Sequence, residues 1–522
     1  MKNEEKVKLY TFGYAKFYSS RKDYSNAISY YDKALKIDPL FIPALNDKGT
    51  ILYDLRDYDS ALRTYDTGLE LEPNNPNLLY NKGMALQALN RHQEAIEYYD
   101  KVIAIKEYDV FAWLNKGNAF QDMKKYNEAE KCYDRALKVD PTNTRAQAYT
   151  MNNKCSLLYA REEYDSALIW IDKALKLIPN DPMLLLNKVK VLKAMGKTGH
   201  ALRWLDKGLK SHPNDPDILG EKGLMLSELG NFEEALKYFD MAIEIKKTDL
   251  GILNNKANTL LKLENYKDAK KILDEILAID PKYIYALINR GSLCVKSNDD
   301  DSAIKYYDEA LKVEPNNVQL NILKGESYYR LGDYIEAIKS FDKALEVDPM
   351  NSNVWTNKGI SEFNIGKRIE AIKSFDKALE ADSENVVALN QKGIVLGDLG
   401  RYGDAFVLLD RATRIKPQYE FAWLNKGLVL LKLGKHTKAL ECYHKVISLN
   451  PSSPRTWNDM GLIYYTLNNY KKSIYCYNKS LKLDPTNAQF WYNKGFALMK
   501  LGKRSEAEKC FDKATQFDRS LD

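Results

Sequence analysis

Apolar residues recur along the whole chain in paired stripes, three and four positions apart, with charged and amide side chains between them. Each pair is split by a short polar turn, LGDY at 331–334 or LGKH at 433–436, and closed by a breaker of the D-P-x-N kind. The spacing is helical, and its regular interruption predicts a succession of two-helix hairpins without strands. Sliding the chain by thirty-four residues aligns YDKALKIDP (31–39), YDRALKVDP (133–141), FDKALEVDP (341–349) and YNKSLKLDP (477–485). Fifteen repeats follow, starting at residues 8, 42, 76, 110, 148, 182, 216, 250, 284, 318, 352, 386, 420, 454 and 488. Only the step from 110 to 148 is longer, by the four residues TRAQ at 144–147. That insertion explains why the seven residues FAWLNKG occur at both 111–117 and 421–427, nine repeats and four residues apart.

Inside the repeat, the fourth position is aromatic or aliphatic (Trp113, Trp355, Trp423, Trp457, Trp491) and the eighth is small (Gly83, Gly117, Gly427). The twentieth is alanine in all repeats but one, which has Ser473; the twenty-fourth is large and the thirty-second is proline. This pattern resembles the tetratricopeptide repeat (TPR) family over residues 8–522. The resemblance implies an all-α fold, a right-handed α-α superhelix of about fifteen helix-turn-helix repeats, preceded by a short extension, residues 1–7. One hairpin cannot bury its apolar face alone; stacked hairpins share a continuous core.

Two places depart from the pattern. Repeats five and six carry Cys155 and Val189 at the eighth position, directly after the insertion. Four residues make about one helical turn, so the first helix of repeat five is expected to be longer, and bulkier close-contact residues should open the packing, giving a hinge near residues 140–200. The last repeat ends in FDRSLD with no polar capping helix, which leaves Phe511 short of cover; self-association through the terminal repeats, a truncated chain or a tolerated exposed face would each account for it.

Composition narrows the function classes. The chain is 45% hydrophobic and 29% charged with 16 prolines, a folded rather than a disordered balance. No apolar run is long enough to span a bilayer and MKNEEKVKLY has no signal-peptide core, so the expectation is a cytoplasmic protein with no membrane partner. The net charge of +6 is small and the basic residues are interspersed with acidic ones, which does not announce a nucleic acid. Six cysteines form no C-x-x-C pair, and five histidines are scattered, so no metal is expected. Gly196-Lys197-Thr198 ends like a phosphate-binding loop, but the glycine such a loop needs would fall at Val191. Eleven of the 26 glycines sit at the eighth position, where they serve packing. No catalytic constellation survives the periodic explanation, and neither an enzyme nor a cofactor is expected.

The seventh position is lysine in twelve repeats and Arg290 in another, where the usual TPR pattern has leucine. The twenty-fifth is aspartate in thirteen. Pairing each aspartate with the lysine of the next repeat gives Asp32 with Lys48, Asp66 with Lys82 and so on through twelve pairs, and His444 and Met460 then remove both members of one pair. An ion-pair ladder between successive hairpins is therefore expected, the competing reading being solvated charges on a polar edge.

The resemblance also implies a concave groove lined by the first helix of each repeat. At the sixth position stand Asn81, Asn115, Asn153, Asn187, Asn255, Asn289, Asn357, Asn425 and Asn493. A carboxamide both donates and accepts, so such a row can hold a peptide backbone, or else bond the neighbouring helix. The row is similar to the TPR superhelix of the O-linked N-acetylglucosamine transferases, without their catalytic domain. At the ninth position the last five repeats carry Ile360, Ile394, Leu428, Leu462 and Phe496, which either meet a partner's apolar side chains or pack between adjacent helices. No repeat has the fifth-position lysine by which chaperone-binding members clamp a carboxylate. The reading is a non-enzymatic scaffold that holds extended or unfolded segments of other proteins. The alternatives are a self-assembling scaffold joined through its terminal repeats, possible as a homo-oligomer, and an RNA-binding helical repeat, which the lack of fifth-position Lys or Arg disfavours.

Overall fold

The computed structural model describes residues 2–517, apart from the side chains of residues 2–4, 6 and 10; Met1 and 518–522, the end of FDRSLD, lie outside it. Thirty helices follow one another with no strand among the described residues. Within a repeat, helix A typically has 13 residues and helix B 14, as in Pro76–Ala88 and His92–Ile105 of repeat three. The chain forms two compact bodies, Met1–Thr259 and Leu260–Asp522, divided within helix A of repeat eight, Leu250–Lys262. Residues 140–200, where the insertion suggests a hinge, belong to the interior of the first body.

The breakers cap the helices. Asn75, Asp109, Asp181, Asn317 and Asn385 each accept a backbone N–H of the first turn of a helix A, and proline follows at Pro76 and Pro182. Between helices A and B, the fifteenth residue always has positive φ. It is glycine in seven repeats, such as Gly196 at 70°, and a side-chain-bearing residue in eight, such as Arg56 at 63°. The following N–H reaches back five residues to close the helix, as from Lys197 to the Leu192 carbonyl at 2.9 Å. Gly196-Lys197-Thr198 is thus a hairpin turn.

Packing inside the hairpin depends on the eighth and twenty-fourth positions. A Cβ added to Gly83 would stand 2.7 Å from the Tyr99 ring, and one added to Gly223 would stand 2.8 Å from the Phe239 ring. The twentieth position is fully buried throughout, and Ser473, the exception there, donates its hydroxyl to the Gly461 carbonyl at 2.8 Å. At the two bulkiest eighth positions the twenty-fourth is aliphatic: Cys155 shares a core cluster with Ile171, and Val189 with Leu205. The added volume on helix A is thereby matched by a smaller side chain on helix B. Residues 144–147 lie inside helix A of repeat five, Thr144–Ala160, which has 17 residues. Gln147 in that extra turn is buried and donates to the Leu137 and Asp140 carbonyls, both at 2.9 Å, satisfying the end of the preceding helix.

Between hairpins runs the ion-pair ladder. All twelve pairs form in the inter-repeat register, from Lys48 to Asp32 at 2.6 Å, through Lys188 to Asp172 at 2.5 Å and Arg290 to Asp274 at 2.8 Å, to Lys426 to Asp410 at 2.7 Å. The cations are mostly covered while most of the aspartates keep about half their surface in water. Aromatic rings cover the ammonium groups, Trp204 lying 3.6 Å from the Lys188 nitrogen and Tyr238 4.2 Å from that of Lys222. Burial alone would pull the Lys222 pKa down; hydrogen bonds to Asp206 and Tyr238 outweigh it and leave the pKa raised.

Candidate functional site

The sixth-position asparagines are all half-buried on the A helices. Most of them are joined to the repeat before. Asn81 donates its Nδ2 hydrogen to Asn46 Oδ1 at 2.9 Å, Asn187 to Asn152 at 2.7 Å, Asn425 to Asn390 at 2.9 Å and Asn493 to Asn458 at 2.8 Å. Asn115 uses Tyr80 Oη at 2.7 Å, and Asn153, displaced by the inserted turn, uses Asn118 Oδ1 at 2.8 Å. Asn289 is also engaged. The acceptor is normally the fifth residue of the preceding repeat, thirty-five positions earlier, and Asn152, Asn390 and Asn458 are themselves buried.

A bonded carboxamide is oriented by its neighbour and keeps one N–H and most of its carbonyl capacity. Two positions differ. Asn255 and Asn357 have Gly220 and Ile322 at the acceptor position, neither of which offers a side-chain acceptor. Each lines a depression. In the first body, one of about 680 Å³ is bordered by Asn187, Lys190, Lys193, Gly220, Glu221 and Asn255. Burial raises the Glu221 pKa, with Lys193 at 3.8 Å opposing. In the second body, a recess of about 200 Å³ is formed by Glu326, Tyr329, Arg330, Phe341, Asn357 and Ile360.

The ninth-position stripe is divided. Ile360 and Ile394 are half-buried, Ile360 against the Ala371, Phe375 and Val395 cluster, whereas Leu428, Leu462 and Phe496 expose 40 to 50% of their surface in successive repeats. Phe511 is half-buried within its own hairpin, against Tyr492 and Phe496, with ring centroids 5.6 and 5.3 Å away. The fifth-position partners and the Glu326 recess were not anticipated from the sequence. A correlation between positions thirty-five apart, rather than thirty-four, was the available signal for the first.

The cysteines are buried and unpaired, and burial pushes the thiols of Cys132, Cys442 and Cys476 up to about 11. They are inert core residues rather than nucleophiles. No group of His, Cys, Asp and Glu among the described residues could hold a metal ion, and no described helix is long and apolar enough to cross a membrane.

Comparison with known proteins gives the same repeat. Models described as tetratricopeptide repeat match residues 12–39, 46–110, 110–143, 186–249, 226–290, 284–317, 322–351, 356–420, 421–453 and 488–521, and one described as TPR repeat matches 461–502. The matches pass over 144–185, the repeat with the extra turn. Among solved structures, the APC/C hetero-tetramer Cut9-Hcn1 is similar at 16% identity and a TM-score of 0.51, covering 97% of this chain and 96% of that one. MamA is similar at 25% identity and a TM-score of 0.30 over 31% of this chain and 95% of that one. MamA from Desulfovibrio magneticus RS-1 gives 26% and 0.32 over 33% and 97%. No curated protein sequence matches this chain. Family models over most of its length, fifteen hairpins in one register and a solenoid likeness along nearly the whole chain make this protein a member of the tetratricopeptide repeat family, a family of protein-interaction scaffolds.

Proposed function

We propose that the chain is a non-enzymatic cytoplasmic scaffold that holds extended segments of other proteins along its A helices. The observation that carries this reading is the row of exposed apolar residues Leu428, Leu462 and Phe496, one per repeat, beside the oriented amides of Asn425 and Asn493. Side chains of a partner bury against the first set, and its backbone meets the remaining N–H and carbonyl of the second. The amides select no side chain. The lysine ladder does not compete for this role, since its cations are held by aspartates.

The test is binding of a permanently unfolded polypeptide, reduced and carboxymethylated α-lactalbumin, to the intact chain and to the Leu428→Ser, Leu462→Ser, Phe496→Ser variant. Because Phe496 also packs on Phe511, the melting temperature of the variant is checked first, and Leu428→Ser, Leu462→Ser alone serves as the second variant. The expected result is an affinity about tenfold or more weaker. Equal binding by the two proteins rules the stripe out as the docking surface. An Asn357, Asn425 and Asn493 triple alanine variant, tested in parallel, reads the amide contribution.

A second reading is favoured by the first helix, Lys2–Ser20, which exposes Leu9, Tyr14 and Phe17 around a depression of about 520 Å³. Such a face supports self-association. Sedimentation at two concentrations, with Leu9→Ser and Phe17→Ser as the control, separates this from a monomer.

A further inference from the structure

The recess between repeats ten and eleven combines two departures from the rest of the row. Asn357 lacks the acceptor that orients its counterparts, because Ile322 replaces the fifth-position asparagine. Opposite it, the ninth position is Glu326, at the point where the apolar stripe begins with Ile360. Among the described residues Glu326 forms no ion pair. Arg330, the cation beside it, is committed elsewhere: its Nε and Nη2 donate to Asp300 Oδ1 at 3.0 and 2.8 Å, and Nη2 also reaches Ser327 Oγ at 2.9 Å. Asp300 is buried, so its charge matches that of Arg330 and the recess retains one surplus negative charge.

The walls are apolar and aromatic. Ile360 contributes hydrocarbon and Tyr329 a ring, above the buried Phe341, around a space of about 200 Å³. Such a site matches a long side chain with an apolar stem and a cationic head. We infer that this recess receives a lysine or arginine side chain of the bound segment, with its stem on Tyr329 and Ile360 and its head on the Glu326 carboxylate and the Asn357 carbonyl. The inference rests on the groove reading above and adds a sequence preference to a surface whose other amides have none. Burial raises the Glu326 carboxyl above its ordinary range, with the nearby Arg330 charge opposing.

The experiment selects a random peptide library, of about twelve residues per member, on the intact chain and on Glu326→Gln, whose melting temperature is checked first. The expected outcome is enrichment of Lys or Arg at one position on the intact chain and its loss on the variant. Replacing that residue by citrulline or norleucine in the selected peptide then weakens binding about tenfold to the intact chain and leaves binding to Glu326→Gln unchanged. Peptides enriched without a basic residue, or with one retained on the variant, overturn the inference and leave the groove reading standing. Failure to enrich any peptide overturns both.

Discussion

Asn187 donates a side-chain hydrogen to the Oδ1 of Asn152, 2.7 Å away and one repeat earlier, and only the acceptor is buried. The pair ties neighbouring A helices together at the surface chosen for binding. A double-mutant cycle of Asn152→Ala and Asn187→Ala is expected to show coupling of about 1 kcal/mol in urea unfolding. Asn357→Ala, which lacks the corresponding acceptor, is expected to leave the unfolding midpoint nearly unchanged. Zero coupling in the first case marks the row as free for ligands instead.

The contact of Gly83 with Tyr99 makes a second prediction. A methyl group on Gly83 would lie 2.7 Å from a ring that is fully buried and held by its neighbours. Gly83→Ala should therefore cost about 1–3 kcal/mol. Adding Tyr99→Leu should recover part of that loss, because repeat eight already combines Ala257 with Leu273. If the second change only adds to the damage, the two positions do not share one volume.

Much of the architecture was legible because its causes recur. A glycine facing a ring, a capped breaker and a buried alanine return at fixed positions, so any one repeat explains the others. The Lys188–Asp172 register was legible for a different reason: His444 and Met460 vanish together only when the pairing crosses from one repeat to the next. The amide bonds were harder to see. Their acceptors alternate among Asn46, Tyr80, Asn152, Asn390 and Asn458, while other repeats have Leu424 or Ile288 at the same position, so the fifth position shows no consensus. The Glu326 recess was hidden altogether, since it depends on Arg330 being claimed by Asp300, a pairing of a thirteenth position with the seventeenth of the repeat before that recurs with the charges reversed in Arg368 and Asp398 but is carried by different residue types in each repeat.

Turn geometry offers a stabilising change. Arg56, Lys124 and Glu264 occupy the left-handed backbone region at φ of 63°, 59° and 59°, where seven other repeats place glycine. A side chain there costs about 1 kcal/mol, only partly offset by the greater freedom that glycine has in the unfolded chain. Each of Arg56→Gly, Lys124→Gly and Glu264→Gly is expected to raise the melting temperature. Gly196→Ala should lower it, although nothing lies within 4 Å of the Cβ it would add. The opposite order would mean that helix ends, not backbone strain, decide stability at these turns.

Asp459 gives the pH-dependent case. It stands at the sixth position of repeat fourteen, where nine other repeats have asparagine, and burial raises its pKa against the opposing effects of Arg455 and the Asn458 amide. A carboxyl whose folded pKa lies above its unfolded value favours the folded state below the unfolded pKa, and that contribution is lost as pH rises through the folded pKa. The ionised group therefore weakens the fold at neutral pH. Asp459→Asn removes the titration while keeping the shape. Its melting temperature should exceed that of the unmodified chain at pH 7, and the difference should shrink as pH falls to about 4, where the carboxyl is increasingly protonated in both states. A gain of constant size across that range would assign the effect to hydrogen bonding by the new amide, and no gain at pH 7 would mean that the buried charge is already compensated by Arg455.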